Sequence, residues 1–239
     1  MDAPNSSIGG QKISIRKLPA RLLFAIIYPG ALCAVLILVS GKPDWTAAWL
    51  FCGLYAAYMI GYVIWASFRA PELMEERARP GPNAKSWDKI LMRAVYVPLL
   101  IALLVVCALD IRAEFSSVPL AIQIVGGLLS AASGLWIMWV LATNRFASGV
   151  VRIQSDRGHC VISSGPYRAV RHPMYLGNVV FLLALPLILG SWLGMAVSVL
   201  LFALFVARAW LEDRVLQAEL PGYAEYAQRV RKRLIPGIW

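Results

Sequence analysis

The chain has 239 residues, of which 59% are hydrophobic and only 15% are charged, and its mean hydropathy is +0.66. Soluble domains use apolar residues for about half of their length, so this composition excludes an ordinary soluble domain and indicates a polytopic membrane protein. The formal net charge of +10 favours contact with anionic lipid at the cytoplasmic leaflet over binding to nucleic acid. The four cysteines form no CxxC pair, so we expect neither a disulfide framework nor a metal site.

Six apolar runs predict about six transmembrane helices. The first four runs have the length that a span requires, and turn residues separate the first two at Gly41-Lys42-Pro43-Asp44. The last two are shorter and are separated by Gly190, so they predict a helical hairpin. The predicted fold class is therefore all-α, a multi-pass integral membrane protein. The runs cover residues 22–39, 45–68, 90–109, 118–142, 175–189 and 191–207.

The positions of lysine and arginine predict the orientation. Of the 23 basic residues, Lys42 and Arg112 lie on one side of the predicted membrane, and all the others lie on the opposite side. Because cytoplasmic loops carry the excess of positive charge, both termini and residues 165–178 are predicted to be cytoplasmic. The protein is therefore assigned to a cell membrane, with the bacterial inner membrane as the expected one. The centres of the predicted spans contain no ionisable residue, which argues against a transporter or a channel.

Polar and basic residues concentrate at 165–178, between long apolar runs. This stretch contains Arg171 and His172, and Pro173 both excludes the α region for His172 and fixes its own φ, so the corner is stiff. Downstream, Arg208 and Glu212 are four residues apart and therefore share one face of a helix. The residues alone leave two interpretations open: a lipid-headgroup anchor with a simple i,i+4 ion pair, or a binding site at the cytoplasmic surface.

The common nucleotide-binding and hydrolase motifs are missing from the sequence. It contains no GxGxxG after a strand, no Walker sequence, no HExxH and no GxSxG. A Rossmann-type cofactor domain and the usual hydrolase arrangements therefore have no support.

A series of motifs resembles the isoprenylcysteine carboxyl methyltransferase family in order and in spacing. The segment from Pro71 to Asp88 is similar to bacterial members in particular. The sequence departs from the family at Asp213, where relatives often have a second glutamate. The motifs are Asn144-Arg145-Phe146, His159 to Ile162, Ser164-Gly165-Pro166-Tyr167, Arg171-His172-Pro173-Met174-Tyr175-Leu176-Gly177, Arg208-x3-Glu212-Asp213 and Tyr223-x2-Tyr226.

The resemblance implies a membrane methyltransferase that binds S-adenosylmethionine with cytoplasmic loops and C-terminal helices, without a metal. It implies that Glu212 meets the ammonium group of the cofactor and that Arg208 lies at the substrate. The implied cofactor residues are Gln154, His159, Cys160, Val161, Ile162, Tyr167, His172, Pro173, Met174, Tyr175 and Glu212. The implied catalytic residues are Asn144, Arg171 and Arg208.

The expected reaction is methylation of the carboxylate of a lipophilic or prenylated substrate taken from the membrane. A carboxylate is already ionised at neutral pH, so the reaction needs placement and exclusion of water, and no histidine is required as a base. The guanidinium of Arg208 or of Arg171 can hold such a carboxylate with two hydrogen bonds. We expect three regions: a cytoplasmic segment at 1–17, a four-helix transmembrane region at 18–142, and a catalytic region at 143–239 with a helical hairpin and an amphipathic tail.

Three other functions remain open at this point. A methyltransferase acting on a phospholipid amine or on a thiol would need acidic groups, which Glu75, Glu76 and Asp88 could supply. A membrane reductase that uses NADPH is a second possibility, because sterol reductases share related C-terminal helices. A noncatalytic scaffold whose basic face binds lipid is the third.

Overall fold

The computed structural model describes residues 16–79, 81–235, 237 and 239. Every regular element in these residues is helical, which confirms the all-α fold class. Residues 1–15 of the predicted N-terminal segment 1–17 lie outside the described part.

Five of the described helices are long and apolar enough to cross a membrane, and a sixth apolar helix, α6, is shorter at 17 residues. Each of the six predicted runs therefore corresponds to a helix. The helices are α1 (Leu18–Ser40), α2 (Thr46–Arg69), α3 (Pro71–Ala78), α4 (Ser86–Ala113), α5 (Leu120–Thr143), α6 (Pro173–Leu189), α7 (Trp192–Glu219) and α8 (Tyr223–Arg229).

The helical hairpin near the C-terminal end is asymmetric. The turn at Gly190 has φ of +80°, which suits glycine, and the Ser191 hydroxyl accepts a hydrogen bond from the Gly194 N–H to begin α7. The prediction of two short arms is right for α6 but wrong for α7, which has 28 residues. The reason is that no glycine or proline occurs between Gly194 and Pro221-Gly222, so the last span and the polar stretch after it form one helix.

The helices pack as a bundle in which α5 lies along α6, α6 and α4 both contact α7, and α1 contacts α2 and α4. Close approach of α5 to α6 depends on Gly126 and Gly177, where an added Cβ would meet neighbouring atoms at 2.8 Å and 2.6 Å respectively. Large apolar side chains such as Leu38 and Leu135 are exposed on the outside of the bundle, as expected for a surface that contacts lipid. The predicted boundary between a transmembrane region at 18–142 and a catalytic region at 143–239 stays a prediction. Helices α5 and α6 lie on either side of it and pack against each other.

The polar parts of the chain gather at one end of the bundle. The connection from α5 to α6 contains two short 3-10 turns, Ser155–Arg157 and Gly165–Arg168. The segment after α8 returns to this connection, where the backbone N–H groups of Arg171 and His172 donate hydrogen bonds of 2.9 and 2.8 Å to the carbonyls of Lys232 and Arg233. Backbone hydrogen bonds therefore join the α5–α6 connection to the C-terminal segment.

Candidate active site

An open cavity of about 100 Å³ lies between the α5–α6 connection, the first turn of α6, the end of α7 and α8. Every predicted site residue except Pro173 lines it. Pro173 instead lies behind the wall, where its carbonyl accepts a hydrogen bond of 2.7 Å from Trp136 Nε1. The predicted residues that line the cavity are Asn144, Gln154, His159, Cys160, Val161, Ile162, Tyr167, Arg171, His172, Met174, Tyr175, Arg208 and Glu212.

Glu212 is the one acidic residue among the described residues that line the cavity. The Tyr175 hydroxyl donates a short hydrogen bond to Glu212 Oε2. The other carboxylate oxygen, Oε1, accepts no hydrogen bond from any residue that the structure describes. A partly exposed carboxylate with one oxygen unused is suited to hold a cationic group of a ligand.

Arg208 is paired with Asp88 and not with Glu212. Its Nε and Nη2 donate hydrogen bonds of 2.7 and 3.0 Å to the two oxygens of Asp88, and Nη2 also donates to the carbonyl of Gly149 at 3.0 Å. The guanidinium lies over the Tyr175 ring, 5.1 Å from its centroid. The simple i,i+4 ion pair is therefore not what the structure contains.

The pairing limits what Arg208 can offer a ligand. Because Asp88 occupies the Nε–Nη2 edge, the predicted two-point grip on a carboxylate does not fit this arrangement. Nη1 donates no hydrogen bond within the described ranges, so it is the nitrogen left for a ligand.

Asp213 is the centre of a buried network under the cavity. Its carboxylate accepts hydrogen bonds from Arg171 Nη2 at 2.9 Å, from the Tyr223 hydroxyl at 2.9 Å and from Arg233 Nε at 3.1 Å. Arg171 Nη1 also donates to the carbonyl of Ala227 at 3.2 Å. The residue that departs from the family pattern therefore joins the Arg171 corner to the C-terminal segment, and the catalytic role of Arg171 stays a prediction.

His172 is buried at the start of α6, and its ring is stacked on Tyr175 with centroids 5.6 Å apart and planes 8° apart. Its backbone φ of −121° and ψ of 60° lie outside the α region, as Pro173 requires. Its Nε2 is 3.4 Å from Asp213 Oδ1 without an aligned hydrogen bond. The stiff corner therefore holds the His172 and Tyr175 rings parallel beside Glu212.

Another part of the cavity wall is built around Tyr167 and Asn144. The Asn144 side-chain amide donates a hydrogen bond of 2.7 Å to the Tyr167 hydroxyl, and the Tyr226 hydroxyl donates one of 2.8 Å to the Tyr167 carbonyl. Burial raises the pKa of the Tyr167 phenol, so the phenol stays neutral. Asn144 is therefore held in place by Tyr167 within the cavity wall.

His159 is a neutral histidine in the same wall. Burial and the positive charges of Arg152 and Arg157 lower the pKa of His159 to about 4. Its Nδ1 accepts a hydrogen bond of 3.3 Å from the backbone N–H of Gln154, and its ring lies 4.7 Å from that of Phe146. These contacts make His159 a structural part of the wall.

Some lining residues were not predicted as site residues. Tyr223 and Tyr226 belong to the motif Tyr223-x2-Tyr226, so the sequence contained a signal for them. Leu216 lies near the end of α7 and Leu220 directly after it, and their helical spacing of four residues was a weaker signal. No local pattern marks Arg152 as a site residue, because its partner Glu76 is remote in sequence. Arg152 and Glu76 form two hydrogen bonds of 2.9 Å. The remaining lining residues that were not predicted are Phe146, Ala147, Ser148 and Val150.

The three acids considered for an amine acceptor are all engaged elsewhere. Glu75 pairs with Lys17 at 2.8 Å, Glu76 pairs with Arg152, and Asp88 pairs with Arg208. Although burial opposes it, hydrogen bonds from Arg152 and Ser148 keep the pKa of Glu76 below its usual value. These carboxylates are therefore partners of basic residues, and they do not line the cavity.

Comparisons with known proteins found a family model, a bacterial protein and a solved structure that are similar to this chain. Residues 121–220 match a family model described as phospholipid methyltransferase. Over 78 residues, 32% of this chain, the sequence is 38% identical to the cobalt-zinc-cadmium resistance protein CzcN of Cupriavidus metallidurans, and the match spans 36% of that protein's length. Among solved structures, the chain is similar to the eukaryotic intramembrane Ras methyltransferase, isoprenylcysteine carboxyl methyltransferase, with a TM-score of 0.42 and 15% identity over 100% of this chain and 88% of the other.

Proposed function

We propose, with the phospholipid methyltransferase family match of residues 121–220 as the premise, that this protein is a membrane methyltransferase that uses S-adenosylmethionine. The observation that carries the proposal is the convergence of the motif residues on one cavity beside Glu212. The matched region covers the α5–α6 connection and α7, which supply most of that cavity.

The residues of the cavity fit the chemical groups of S-adenosylmethionine. Glu212 would hold the ammonium group through its free oxygen, since a carboxylate forms strong charge-assisted hydrogen bonds with cations. The apolar side chains of Val161 and Ile162 would contact the adenine, and the Tyr175 ring would attract the sulfonium. When bound, this cofactor supplies an electrophilic methyl group.

The acceptor that we favour is the carboxylate of a lipophilic molecule, such as a prenylated cysteine. Arg208 Nη1 would orient one carboxylate oxygen, and the buried surroundings would keep water away from the reacting atoms. The carboxylate is already ionised, so neither histidine needs to accept a proton.

Methylation of a phospholipid amine is the second candidate, and the description of the matched family favours it. An amine acceptor loses a proton during the reaction and therefore needs a base. Glu75, Glu76 and Asp88 are occupied by basic partners, so Glu212 would have to serve both the cofactor and the acceptor. This double demand on Glu212 is the reason that the carboxylate stands first.

The test is methyl transfer from labelled S-adenosylmethionine by the purified protein to a membrane lipid extract and to N-acetyl-S-farnesylcysteine. Release of the label in mild base identifies an ester, and a stable label identifies an N-methyl or S-methyl product. A protein stabilised against heat by NADPH but not by S-adenosylmethionine would instead be a reductase, and one stabilised by neither would be a scaffold.

Glu212→Gln is expected to weaken S-adenosylmethionine binding about tenfold or more, which corresponds to about 1.4 kcal/mol. The amide keeps the shape of the side chain but loses its charge. Glu219→Gln is the matched control, because Glu219 lies on the same helix and forms an exposed ion pair with Lys85. Calorimetric titration of both variants measures the effect, and equal affinities would contradict the role of Glu212.

A further inference from the structure

We propose that Asp88 is a positioning residue of the active site: it holds the Nε–Nη2 edge of Arg208 so that Nη1 is presented to the acceptor. This inference rests on the proposed function. It assigns a role in the reaction to the membrane region before residue 121, which lies outside the family match.

Asp88 is a fully buried carboxylate, and both of its oxygens accept hydrogen bonds. Asp88 has 0% exposure. Oδ1 accepts from Arg208 Nε at 2.7 Å, and Oδ2 accepts from Arg208 Nη2 at 3.0 Å and from the Val151 N–H at 2.7 Å. A guanidinium held by two parallel hydrogen bonds has a fixed plane, so the direction of Nη1 is fixed as well.

The surroundings of Asp88 and Arg208 fix the position of the guanidinium. The carboxylate lies in the first turn of α4, where the helix dipole favours a negative charge. Arg208 Nη2 donates to the carbonyl of Gly149 at the same time, so the guanidinium is held from two sides. Its fourth contact is the face of the Tyr175 ring, whose hydroxyl binds Glu212. A displacement of Asp88 would therefore release the Arg208 guanidinium, while Glu212 keeps its own hydrogen bond from Tyr175.

A purely structural role for Asp88 is the competing explanation. Asp88 and Lys85 hold the loop at Val151, since the Lys85 N–H donates to the Val151 carbonyl at 2.9 Å. Glu76 holds the same loop through Arg152 and through Ser148, whose hydroxyl donates to Glu76 at 3.1 Å. Glu76 does not contact Arg208, so Glu76→Gln is a matched control that loosens the loop alone.

The experiment compares Asp88→Asn with Glu76→Gln, each in the wild-type and the Arg208→Gln background. Asp88→Asn is expected to lower single-turnover methyl transfer to the lipid extract and to N-acetyl-S-farnesylcysteine at least tenfold, while changing S-adenosylmethionine affinity less than twofold. In the Arg208→Gln background it is expected to have no further effect, because a residue that acts through Arg208 has nothing left to position. Glu76→Gln is expected to cause the same modest loss in both backgrounds.

Two further measurements make the result independent of folding and of the acceptor. Asp88→Glu keeps the charge and displaces it, so it is expected to bind the cofactor normally and still lose at least tenfold in transfer. Phenylglyoxal reacts with free guanidinium groups, and mass spectrometry is expected to show Arg208 modified at least threefold faster in Asp88→Asn and unchanged in Glu76→Gln.

The inference is overturned if Asp88→Asn and Glu76→Gln behave alike in these measurements, or if the losses from Asp88→Asn and Arg208→Gln add fully. Wild-type protein that transfers no methyl group would overturn the proposed function instead. The phenylglyoxal comparison needs no acceptor, so it still decides whether Asp88 holds Arg208.

Discussion

Protonation of His159 is the residue-scale event with the clearest consequence for stability. Its folded-state pKa of about 4 lies below the usual histidine value of about 6.5. In the pH range between these two values the unfolded chain therefore binds the proton and the folded chain does not. The stability that comes from neutral His159 is complete above this range and is lost as the pH falls through it.

We therefore predict that lowering the pH from 6.5 to 5 lowers the unfolding temperature of both proteins unequally. The decrease for the wild-type protein should exceed the decrease for the His159→Gln variant by at least about 2 °C. Glutamine cannot titrate, so the difference between the two proteins isolates His159. Glu76 has a lowered pKa and stays ionised in this range. Thermal unfolding in detergent at the two pH values measures the effect, and identical pH profiles would contradict it.

The sequence predicts the cavity residues well but not the partners that hold them. Motifs such as RHPMY and Arg208-x3-Glu212 place several side chains relative to one another within one stretch or one helix turn, so their location follows once the stretch is placed. Asp88 and Glu76 reach the site from helices that are distant in sequence. Only the packing of α3 and α4 against the connection brings them there, and local patterns contain no information about that packing.

At the scale of helices, two adjacent glycines of α5 should respond in opposite ways to the same substitution. An added Cβ at Gly126 would lie 2.8 Å from Leu187 Cβ and 3.0 Å from the backbone nitrogen of Ile188, whereas Gly127 has no neighbour within 4 Å. We predict that Gly126→Ala lowers the free energy of unfolding by about 1–3 kcal/mol. Gly127→Ala should be neutral or stabilising by up to about 1 kcal/mol, because alanine favours helix.

Thermal unfolding of the two variants in the same detergent measures this difference. The pair is internally matched, since both positions lie in the same turn of the same helix. Equal shifts for the two variants would mean that α5 and α6 do not approach closely at Gly126.

Helix ends were most readily predicted where breaking residues mark them. Gly41 and Gly190 are conspicuous in the sequence, and both end a helix in the left-handed region. α7 was underestimated as a span because its composition changes from apolar to polar at Arg208, while the backbone continues unbroken to Glu219. The hydropathy of a segment indicates whether lipid or water surrounds it, whereas the helix-breaking residues indicate where the helix ends.

At the scale of the whole molecule, the charge distribution predicts that the cavity faces the cytoplasm. Phe115 lies at the opposite end of the bundle and is 79% exposed. We predict that a cysteine at this position, in a Cys160→Ser background, reacts with a membrane-impermeant maleimide in intact cells. The native Cys160 should react only after the membrane is permeabilised.

Cys33, Cys52 and Cys107 are buried and give little background in this assay. Phe115 is preferred to its neighbour Ser116, whose hydroxyl donates a hydrogen bond of 2.6 Å to Asp110. Labelling of Cys160 in sealed cells would reverse the orientation.

The wide π-helical turn at Leu91–Tyr96 in α4 sets the rotational phase between the two ends of that helix. Each residue of an α-helix turns the chain by about 100°, so removing one residue from this turn to give a regular α-helix would rotate Asp88 by about that angle relative to Leu103 and Cys107, which pack in the core. Asp88 would then point away from Arg208 although no residue of the cavity had changed. A single-residue deletion in the lipid-facing part of α4 would thus act like a mutation of the active site.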